Sequence, residues 1–307
     1  MDLSVIIVNW KSVRWLGPCL ASIRRHAGGI AVEVVVVDNA SGDGCAEFLK
    51  REHPEAVFLP SPENVGFARA NNLGAKKARS DVLLFLNPDT EVREGSLTVL
   101  AGIARSRPRA GAIGCRILNG DGTLQTSCVQ SFPTVLNQLL DAEALRRLAP
   151  RSRLWGMAPV FAEGSEPVPA EAISGACLAV RRDAFDAVGG FSEDYFMYTE
   201  DIDLCYKLAR AGRENLYAGS AQIVHHGGGS SKQRSDSGFA DVQMRESVRR
   251  FMRKHRGAVS AACYRAAMAC SALVRLVVLA FGGSRQARAK WSAIFAWAVG
   301  TRKAAGA

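Results

Sequence analysis

The 307-residue sequence lacks the short motifs that identify several common enzyme classes. It has no G-x-G-x-x-G fingerprint for a dinucleotide and no G-x-x-x-x-G-K-[ST] loop for a nucleoside triphosphate. It also has no G-x-S-x-G elbow that would present a nucleophilic serine. A Rossmann dehydrogenase, a P-loop nucleotidase and an α/β-hydrolase are therefore disfavoured.

The cysteines lack the spacing of a metal cluster or a disulfide framework. Eight are present, but no two form a C-x-x-C pair and their spacing is irregular. The first ten residues, MDLSVIIVNW, have neither the basic region nor the cleavage site of a signal peptide. We therefore expect a protein of the reducing cytoplasm.

Acidic residues are nearly absent from the end of the chain. From Arg245 onward there are 13 Lys and Arg residues and one acid, Glu246, so this tail carries +12 while the preceding 244 residues carry −2. We expect basic helices that lie on an anionic membrane surface, with packing on the body or an oligomer contact as the alternative. A nucleic-acid partner is disfavoured, because no aromatic and basic stacking pattern accompanies the charge. Cations also keep the apolar runs of the tail well short of the ~18 uncharged residues of a membrane-spanning helix: Arg265, Arg275, Arg285, Arg288 and Lys290.

The first 118 residues alternate strand-like and helical patterns. The runs LSVIIVNW at 3–10 and VEVVVVD at 32–38 are typical of buried parallel strands. This alternation predicts an α/β fold with a mostly parallel sheet flanked by helices, in which ligands bind beyond the carboxyl ends of the strands. Further strands are predicted at 56–66 (with its loop), 81–90 and 110–118, and helices at 16–27, 45–53, 67–78 and 95–107.

The remaining chain is less regular at first. Residues 120–172 contain scattered Pro, Gly and Arg, and we expect a mobile excursion there. A strand at 172–180, a helix in RRDAFDAVGG and a strand ending in AQIVHHGGGSS follow. The final 60 or so residues have helical spacing.

Polar residues follow the predicted strands. Asn87 and Asp89 follow one strand, and oxygen ligands at such an edge suit Mg²⁺ or Mn²⁺ completed by substrate phosphates, although Asn-Pro-Asp is also a common turn. Asn9 ends the first strand, and Asp38 and Asn39 end the second. Asp38 is a candidate contact for a base or ribose, while NASGDG is equally typical of a plain turn.

Two further clusters have alternative interpretations. Asn64, Gly66, Arg69 and Asn71 surround a helix start, where free N–H groups favour anions, but a solvated helix with Asn caps has the same pattern. In YFMYTEDIDLCYKLARAG at 195–212, three acids either favour the helix dipole or include a catalytic base. The apolar lead-in favours the base for Asp201, because desolvation raises a carboxyl pKa, and we assign Asp203 to the dipole. The third acid is Glu200.

Five blocks of this sequence resemble the family 2 glycosyltransferases, whose nucleotide-sugar-binding fold is called GT-A. The closest likeness is to bacterial rhamnosyltransferase-type members that build cell-surface glycans, and it covers about residues 3–255. The blocks are VIIVNW, VVVVDNASGDG, NVGFARANNLGAKKA, LLFLNPDT and SGACLAVRRDAF…GGFSEDYFMYTEDIDLCYKLARAG, followed by IVHHGGGSS.

The resemblance implies roles for residues of this chain. Asp89 and His225 would bind Mg²⁺ or Mn²⁺, with His226 as an alternative to His225, and Asp201 would be the general base that Glu200 helps to orient. Asn87 stands where many relatives have a first Asp. The residues predicted to bind the nucleotide-sugar donor are Asn9, Asp38, Asn39, Asn64, Gly66, Arg69, Asn71, Asn87, Lys232 and Arg234, the last two in a 225–238 loop that is either a lid or a flexible linker.

The implied activity is inverting sugar transfer, with rhamnose from dTDP-rhamnose as the first expectation. The acceptor would be a glycan or polyprenyl-linked glycan at the inner face of the plasma membrane. A UDP- or GDP-sugar donor is the alternative, and a non-catalytic nucleotide-sugar-binding scaffold is a hypothesis from another class. We expect a GT-A domain at 1–243, with a nucleotide-binding half at 1–118 and an acceptor and catalytic half at 119–243, and a basic helical appendage at 244–307.

Overall fold

The computed structural model of the protein describes residues 1–140, 143–162, 164–227 and 238–304. The chain forms two compact units. The sheet unit comprises Met1–Phe132, Arg151–Glu193 and Glu200–Ser230, and the helical unit comprises Pro133–Pro150, Asp194–Thr199 and Ser231–Ala307. Short segments from the middle of the chain thus join the C-terminal helices, and the proposed boundary at residue 243 stays a prediction.

The strands and helices follow the alternation predicted for the first 118 residues. The strands are β1 Leu3–Asn9, β2 Val32–Asp38, β3 Val57–Pro60, β4 Val82–Leu86, β5 Thr90–Val92, β6 Ala110–Leu118, β7 Val129–Gln130, β8 Val168–Pro169, β9 Ala172–Ile173, β10 Cys177–Arg181 and β11 Glu214–His225. The helices are α1 Val13–Arg25, α2 Cys45–Glu52, α3 Phe67–Lys77, α4 Ser96–Ser106, α5 Val135–Leu139, α6 Glu143–Leu148, α7 Arg182–Ala187, α8 Glu200–Arg210, α9 Phe239–Ala280 and α10 Arg285–Val299.

The central sheet has the strand order β3-β2-β1-β4-β10-β6-β11-β5, with β8 paired to β11. Strands β1 to β4 are parallel, and β6 is parallel to β11. Strand β10 is antiparallel to both of its neighbours, and β5 is antiparallel to β11. The predicted α/β fold with a mostly parallel sheet is confirmed, and its register aligns the ends of β1 and β2 by pairing Asn9 with Asp38.

The β1 and β4 strands are fully buried, and apart from Ser4 and Asn9 of β1 their residues are apolar on both faces. Phe85 of β4 packs against Phe185 and Phe191 with ring centroids 5.2 and 4.7 Å away. Such aromatic pairs contribute about 0.5–1.5 kcal/mol each beyond the burial of their area. Asn72 of α3 adds two hydrogen bonds to the Phe191 backbone, of 2.9 and 3.0 Å. This anchor fixes the segment that leads towards the acidic helix α8.

Three details differ from the sequence-based expectations. The predicted strand 172–180 is interrupted between β9 and β10, where the Cys177 N–H donates to Ser174 in a turn. The short strand β5 was not predicted, because three residues carry too little periodicity. The segment 120–172 is not a bare excursion, since it contains short helices and strands and buries Val129 and Trp155.

In the helical unit, α9 and α10 pack through Tyr264, Met268 and Trp297. Gly257 has φ 89° and ψ 168°, so α9 consists of two helical halves that meet at this residue. Arg265 links α9 to α10 by donating to the carbonyls of Ala298 at 2.7 Å and Trp297 at 3.1 Å.

The second half of α9 corrects the expectation that the tail holds no helix of membrane-spanning character. Helix α9 contains an 18-residue stretch that is long and apolar enough to cross a membrane, and 22% of that stretch is buried. Arg265 and Arg275, which we counted as interruptions, lie in this half of the helix. Towards its end the helix exposes the apolar side chains of Leu273, Val274, Val277 and Val278, followed by Phe281.

Candidate active site

The ends of β1 and β2 form a polar edge. The Asn9 amide donates to Asp38 Oδ1 at 2.9 Å and to the Asp43 carboxylate at 3.2 Å. Asp43 also accepts from the Val13 N–H at 3.0 Å, so it caps α1 from a neighbouring loop. Burial raises the pKa of Asp38, although the hydrogen bond from Asn9 acts in the opposite direction. Sequence reasoning missed Asp43, because Asn39 was the one residue of NASGDG predicted to contact the donor and the rest was interpreted as a turn.

Asn39 joins this edge to the loop before α3. Its amide donates to Asn64 Oδ1 at 3.0 Å, and its own oxygen accepts from the Val65 N–H at 2.9 Å. Asn64 in turn accepts from the Gly66 N–H at 3.1 Å, so the predicted residues Asn39, Asn64 and Gly66 form one network. Gly66 has φ 85°, a conformation that favours glycine.

Asn71 and Arg69 are placed differently from these residues. The Asn71 amide is buried and donates to the Phe67 carbonyl within its own helix at 2.9 Å, which is a structural contact. Arg69 is half exposed and lies 3.5 Å from Glu193. Donor binding by Asn71 and Arg69 therefore has no support from the contacts of this structure and stays a prediction.

The pairing of β5 with β11 brings Asp89 to His225. His225 is aligned with Thr90, and the His226 N–H donates to the Asp89 carbonyl at 3.0 Å. His225 Nε2 lies 3.3 Å from Asp89 Oδ1 and 3.3 Å from the Asn87 amide nitrogen. His226 turns elsewhere, with Nε2 2.7 Å from Glu91 and its ring stacked on Trp15. The two histidines are thus distinguished, and His225 is the one beside Asp89.

The residues around His225 fit a divalent cation. The Nδ1 atom of His225 lies 2.9 Å from the Gln125 side-chain oxygen, and in the tautomer in which Nδ1 donates to this oxygen, Nε2 carries a lone pair. That lone pair and the Asp89 carboxylate are two acceptors 3.3 Å apart, an arrangement that a cation between them relieves. Among the described residues no group of three or more His, Cys, Asp and Glu side chains forms a metal site. Asp89 and His225 would therefore fill only part of the coordination shell of a divalent cation, and a substrate would supply most of the other ligands.

Asp201 lies in the first turn of α8, with each carboxylate oxygen fixed by a backbone N–H. Oδ2 accepts from Gly175 at 2.7 Å, and Oδ1 accepts from Ile202 at 2.8 Å. Burial raises its pKa, while these two donors act in the opposite direction. A Cβ added to Gly175 would lie 3.3 Å from the Asp201 Cβ, so this position accommodates little more than glycine.

Glu200 differs from its neighbour. It is 6% exposed, and its Oε2 atom has no hydrogen-bond partner in the structure. Burial, followed by the negative charge of Asp201, raises the pKa of Glu200 well above its ordinary value. Asp203, assigned to the helix dipole, is fully buried and accepts from Ser192 Oγ at 2.5 Å, so it also holds the preceding loop.

A short path of contacts connects the acidic helix to the metal-type pair. Asp201 binds the N–H of Gly175, and the carbonyl of the next residue, Ala176, accepts from the Asn87 N–H at 3.1 Å. The Asn87 side chain then contacts His225, which faces Asp89. Because all of these residues belong to the sheet unit, the structure places Asp201 and Asp89 in one connected region.

Backbone strain is concentrated at the same places. Among the described residues, four that are not glycine have positive φ, an uncommon conformation that persists where the surroundings enforce it. Two lie beside the Asn9 and Asp38 edge, and two immediately precede Glu200. They are Lys11, Ala40, Tyr198 and Thr199. The predicted lid residues Lys232 and Arg234 lie outside the described residues.

Comparisons with known proteins identify the family of the chain. Residues 4–189 match the family model described as Glycosyl transferase family 2. The N-acetylglucosaminyl-diphospho-decaprenol L-rhamnosyltransferase of Mycobacterium tuberculosis is 36% identical over 237 residues, covering 73% of this chain and 76% of that protein. The low-salt glycan biosynthesis hexosyltransferase Agl10 of Haloferax volcanii is 30% identical over 228 residues, covering 73% and 66%.

A solved structure extends the likeness to the fold. Mannosyltransferase PcManGT from Pyrobaculum calidifontis, in complex with GDP-Man and Mn²⁺, matches with a TM-score of 0.59 at 17% identity, covering 97% of this chain and 86% of that chain. The fold is thus that of the GT-A glycosyltransferases. On the family match and the sequence identities, the chain belongs to glycosyl transferase family 2. The predicted resemblance to rhamnosyltransferases and the predicted glycosyltransferase activity are confirmed.

Proposed function

We propose that the protein is a metal-dependent inverting glycosyltransferase that moves rhamnose from dTDP-rhamnose to a lipid-linked glycan acceptor. The observation that carries the mechanism is the connection between Asp201, the 175–176 backbone, Asn87 and the Asp89–His225 pair. The rhamnose donor and the polyprenyl-diphosphate acceptor are suggested by the name of the mycobacterial relative. A UDP- or GDP-sugar donor is the alternative, and GDP-Man in the archaeal structure favours keeping it.

Asp201 is proposed as the general base. An acceptor hydroxyl attacks the anomeric carbon of the donor, its proton passes to the Asp201 carboxylate, and the bond from the anomeric carbon to the diphosphate breaks. General-base catalysis typically contributes ~10²–10⁴-fold to the rate. The two backbone N–H groups hold the carboxylate in one orientation, and its raised pKa makes it a stronger proton acceptor. Glu200 lies next to it in the chain as the proposed orienting residue.

The Asp89–His225 pair is proposed to hold Mg²⁺ or Mn²⁺. A bound divalent cation would offset the charge of the departing nucleoside diphosphate as a Lewis acid. Gln125 would keep the His225 ring in the ligand tautomer through its contact with Nδ1. Asn9, Asp38, Asn39, Asn64 and Gly66 would line the nucleotide pocket, and Lys232 and Arg234 are proposed to close over the diphosphate.

The proposed location is the cytoplasmic face of the plasma membrane. Tyr264, Met268 and Ala272 form one buried face of α9, while Val274 and Val278 are exposed apolar residues of the same helix. A helix with one packed and one free apolar face suits the membrane interface better than an isolated span. The net charge of +12 in the tail supports attraction to anionic lipid.

Donor binding and transfer test this proposal separately. We expect thermal stabilisation of the wild type by dTDP-rhamnose in the presence of Mn²⁺, because a ligand of the folded state stabilises it by about 2.7 kcal/mol at a hundred times its Kd. Asp201→Asn should retain this stabilisation but lose transfer by ~10²–10⁴-fold.

Asp186→Asn is the matched control, since Asp186 is an exposed acid of α7. It should leave both measurements unchanged. Equal transfer by wild type and Asp201→Asn would remove Asp201 from the mechanism. Donor binding without any transfer by the wild type would favour the scaffold alternative. A scaffold would have no evident use for the buried Glu200 oxygen that lacks a hydrogen-bond partner.

A further inference from the structure

A basic cavity of about 500 Å³ lies in the helical unit, beside the first half of α9. Its lining residues are Asp194, Glu246, Arg249, Arg250, Arg253 and Lys254. Four cations against two carboxylates leave an excess charge of +2 at neutral pH. None of these residues belongs to the donor edge or to the Asp89–His225 pair, so the cavity has no role in the chemistry described above.

Glu246 holds the arginines of this cavity in place. It is 3% exposed and accepts from Arg249 Nη2 at 2.7 Å and from Arg250 Nε at 3.2 Å. Arg249 Nε donates to it as well, at 2.8 Å, and the Trp297 indole N–H adds a fourth hydrogen bond at 3.2 Å. The hydrogen bond to Glu246 raises the pKa of Arg249, which therefore stays charged. Because these bonds order the guanidinium groups before any ligand arrives, little further ordering would oppose binding.

Asp194 lines the cavity together with these cations. Arg250 donates to its backbone carbonyl at 2.6 Å, and Lys254 lies 3.3 Å from its carboxylate. Arg253 is exposed, and within the described part of the chain its side chain makes no hydrogen bond or ion pair, so its charge is available to a ligand. Asp194 precedes Asp201, the proposed base, by seven residues of the sequence.

We infer that this cavity binds the diphosphate of the acceptor. This inference rests on the proposed lipid-linked acceptor, whose diphosphate is esterified at both ends and carries about two negative charges, the complement of the excess charge of the cavity. Arginines recognise phosphate oxygens through paired N–H donors. The volume lies within the ~300–1,000 Å³ of ordinary ligand pockets. The exposed apolar residues Val277, further along α9, and Phe281, just beyond its end, suit the lipid chain of the same molecule.

Binding of farnesyl diphosphate in EDTA tests the site without catalysis; this probe is esterified at one end only and carries about one negative charge more than the acceptor diphosphate. We expect titration calorimetry to show about tenfold weaker binding by Arg253→Gln than by the wild type, the loss typical of one charge-assisted contact. Arg256→Gln makes the same chemical change on the same helix outside the cavity and should bind like the wild type. Equal affinity in the three proteins, or no binding by the wild type, would overturn the inference.

A second experiment separates an acceptor diphosphate from a phospholipid headgroup. Cosedimentation with phosphatidylglycerol vesicles should fall equally in Arg253→Gln and Arg256→Gln, because each removes one surface charge. A fall confined to Arg253→Gln would assign the cavity to the headgroup instead. Binding of farnesyl diphosphate that depends on Arg253 in a protein that turns over no nucleotide sugar would refute the proposed function and leave the site intact.

Discussion

Glu200 and Asp201 are adjacent in the chain and experience different surroundings. Each Asp201 oxygen receives a backbone N–H, whereas Glu200 Oε2 is buried without a hydrogen bond. An unpaired buried acceptor is costly, and such groups persist where function needs them. The pair therefore combines a fixed proton acceptor with a destabilising neighbour.

Substitution of Glu200 should stabilise the protein in a pH-dependent way. Burial raises the Glu200 pKa in the folded state above its ordinary value near 4.3, so the folded state binds the proton more tightly and stability falls as the pH rises above that value. Glu200→Gln removes this charge, and we expect a gain of about 1–3 kcal/mol in the free energy of unfolding at pH 8. Urea unfolding at pH 8 and pH 4.5 measures it.

The gain should shrink at pH 4.5, where the wild-type carboxyl is largely protonated. Glu214→Gln, at an exposed position of β11, is the control and should change stability little at either pH. A gain of the same size at both pH values would contradict the electrostatic explanation.

At the residue scale, the sequence predicted which types of residue lie at the ends of the strands, but not which side chains contact each other. A polar residue at a strand end predicts a ligand edge, and Asn9, Asp38 and Asp89 lie where that rule puts them. The choice between His225 and His226 depends on the β5–β11 register, which pairs His225 with Thr90. No local pattern encodes a register between residues so far apart in the chain.

At the scale of elements, the two halves of α9 differ in what they expose. The first half carries the arginines of the basic cavity, and the second half exposes Val278 and Val277. Phe281, just beyond the helix, is 90% exposed. Exposed apolar side chains of this density are typical of a lipid-facing or partner-facing surface.

We expect the double variant Val278→Glu and Phe281→Glu to lose vesicle binding. Burying one such side chain contributes about 1.5–3 kcal/mol, so the partition coefficient onto phosphatidylglycerol vesicles should fall at least tenfold. Met244→Glu, a partly exposed apolar position at the start of α9, is the control and should bind as the wild type does.

An alkaline carbonate wash distinguishes the two membrane arrangements. A helix that lies at the interface should be released from membranes by the wash, whereas a spanning helix would stay in the pellet. Retention of the wild-type protein would replace the interfacial arrangement with a spanning one, in line with the length and composition of α9.

Elements with strong periodicity were predictable, and short ones were not. The buried strands β1, β2 and β4 follow from runs of β-branched residues, and their parallel order follows from the helices between them. Strand β5 is defined by its pairing with the distant strand β11, and the break before β10 is a turn closed between Cys177 and Ser174. Three or four residues cannot signal such pairing in the sequence.

At the scale of the whole molecule, the charge of +10 is concentrated in the C-terminal part. Electrostatic attraction to an anionic surface is screened within about 10 Å at 0.1 M salt and about 3 Å at 1 M. Vesicle binding should therefore weaken strongly as NaCl rises from 0.05 to 0.5 M, as cosedimentation measures, whereas donor-induced thermal stabilisation should persist. Binding that is independent of salt would show that the apolar residues alone are responsible.

The resemblance to a family supplied the architecture, because several blocks in a fixed order are specific even when each block is weak. It did not supply the grouping of Asp194–Thr199 with the C-terminal helices, which results from packing. The basic cavity was equally invisible, since its residues come from two parts of the chain.

Gly175 and Ala176 are consecutive residues that contact the two proposed catalytic groups. The Gly175 N–H binds the carboxylate of Asp201, the proposed base, and the Ala176 carbonyl binds Asn87 beside the proposed metal site. A change in these two residues would displace both the proposed base, which acts on the acceptor hydroxyl, and the proposed metal site, which faces the departing diphosphate. Directed evolution of new donor or acceptor preference should therefore conserve this dipeptide and Gln125, which contacts His225, and diversify the rest of the 120–172 region.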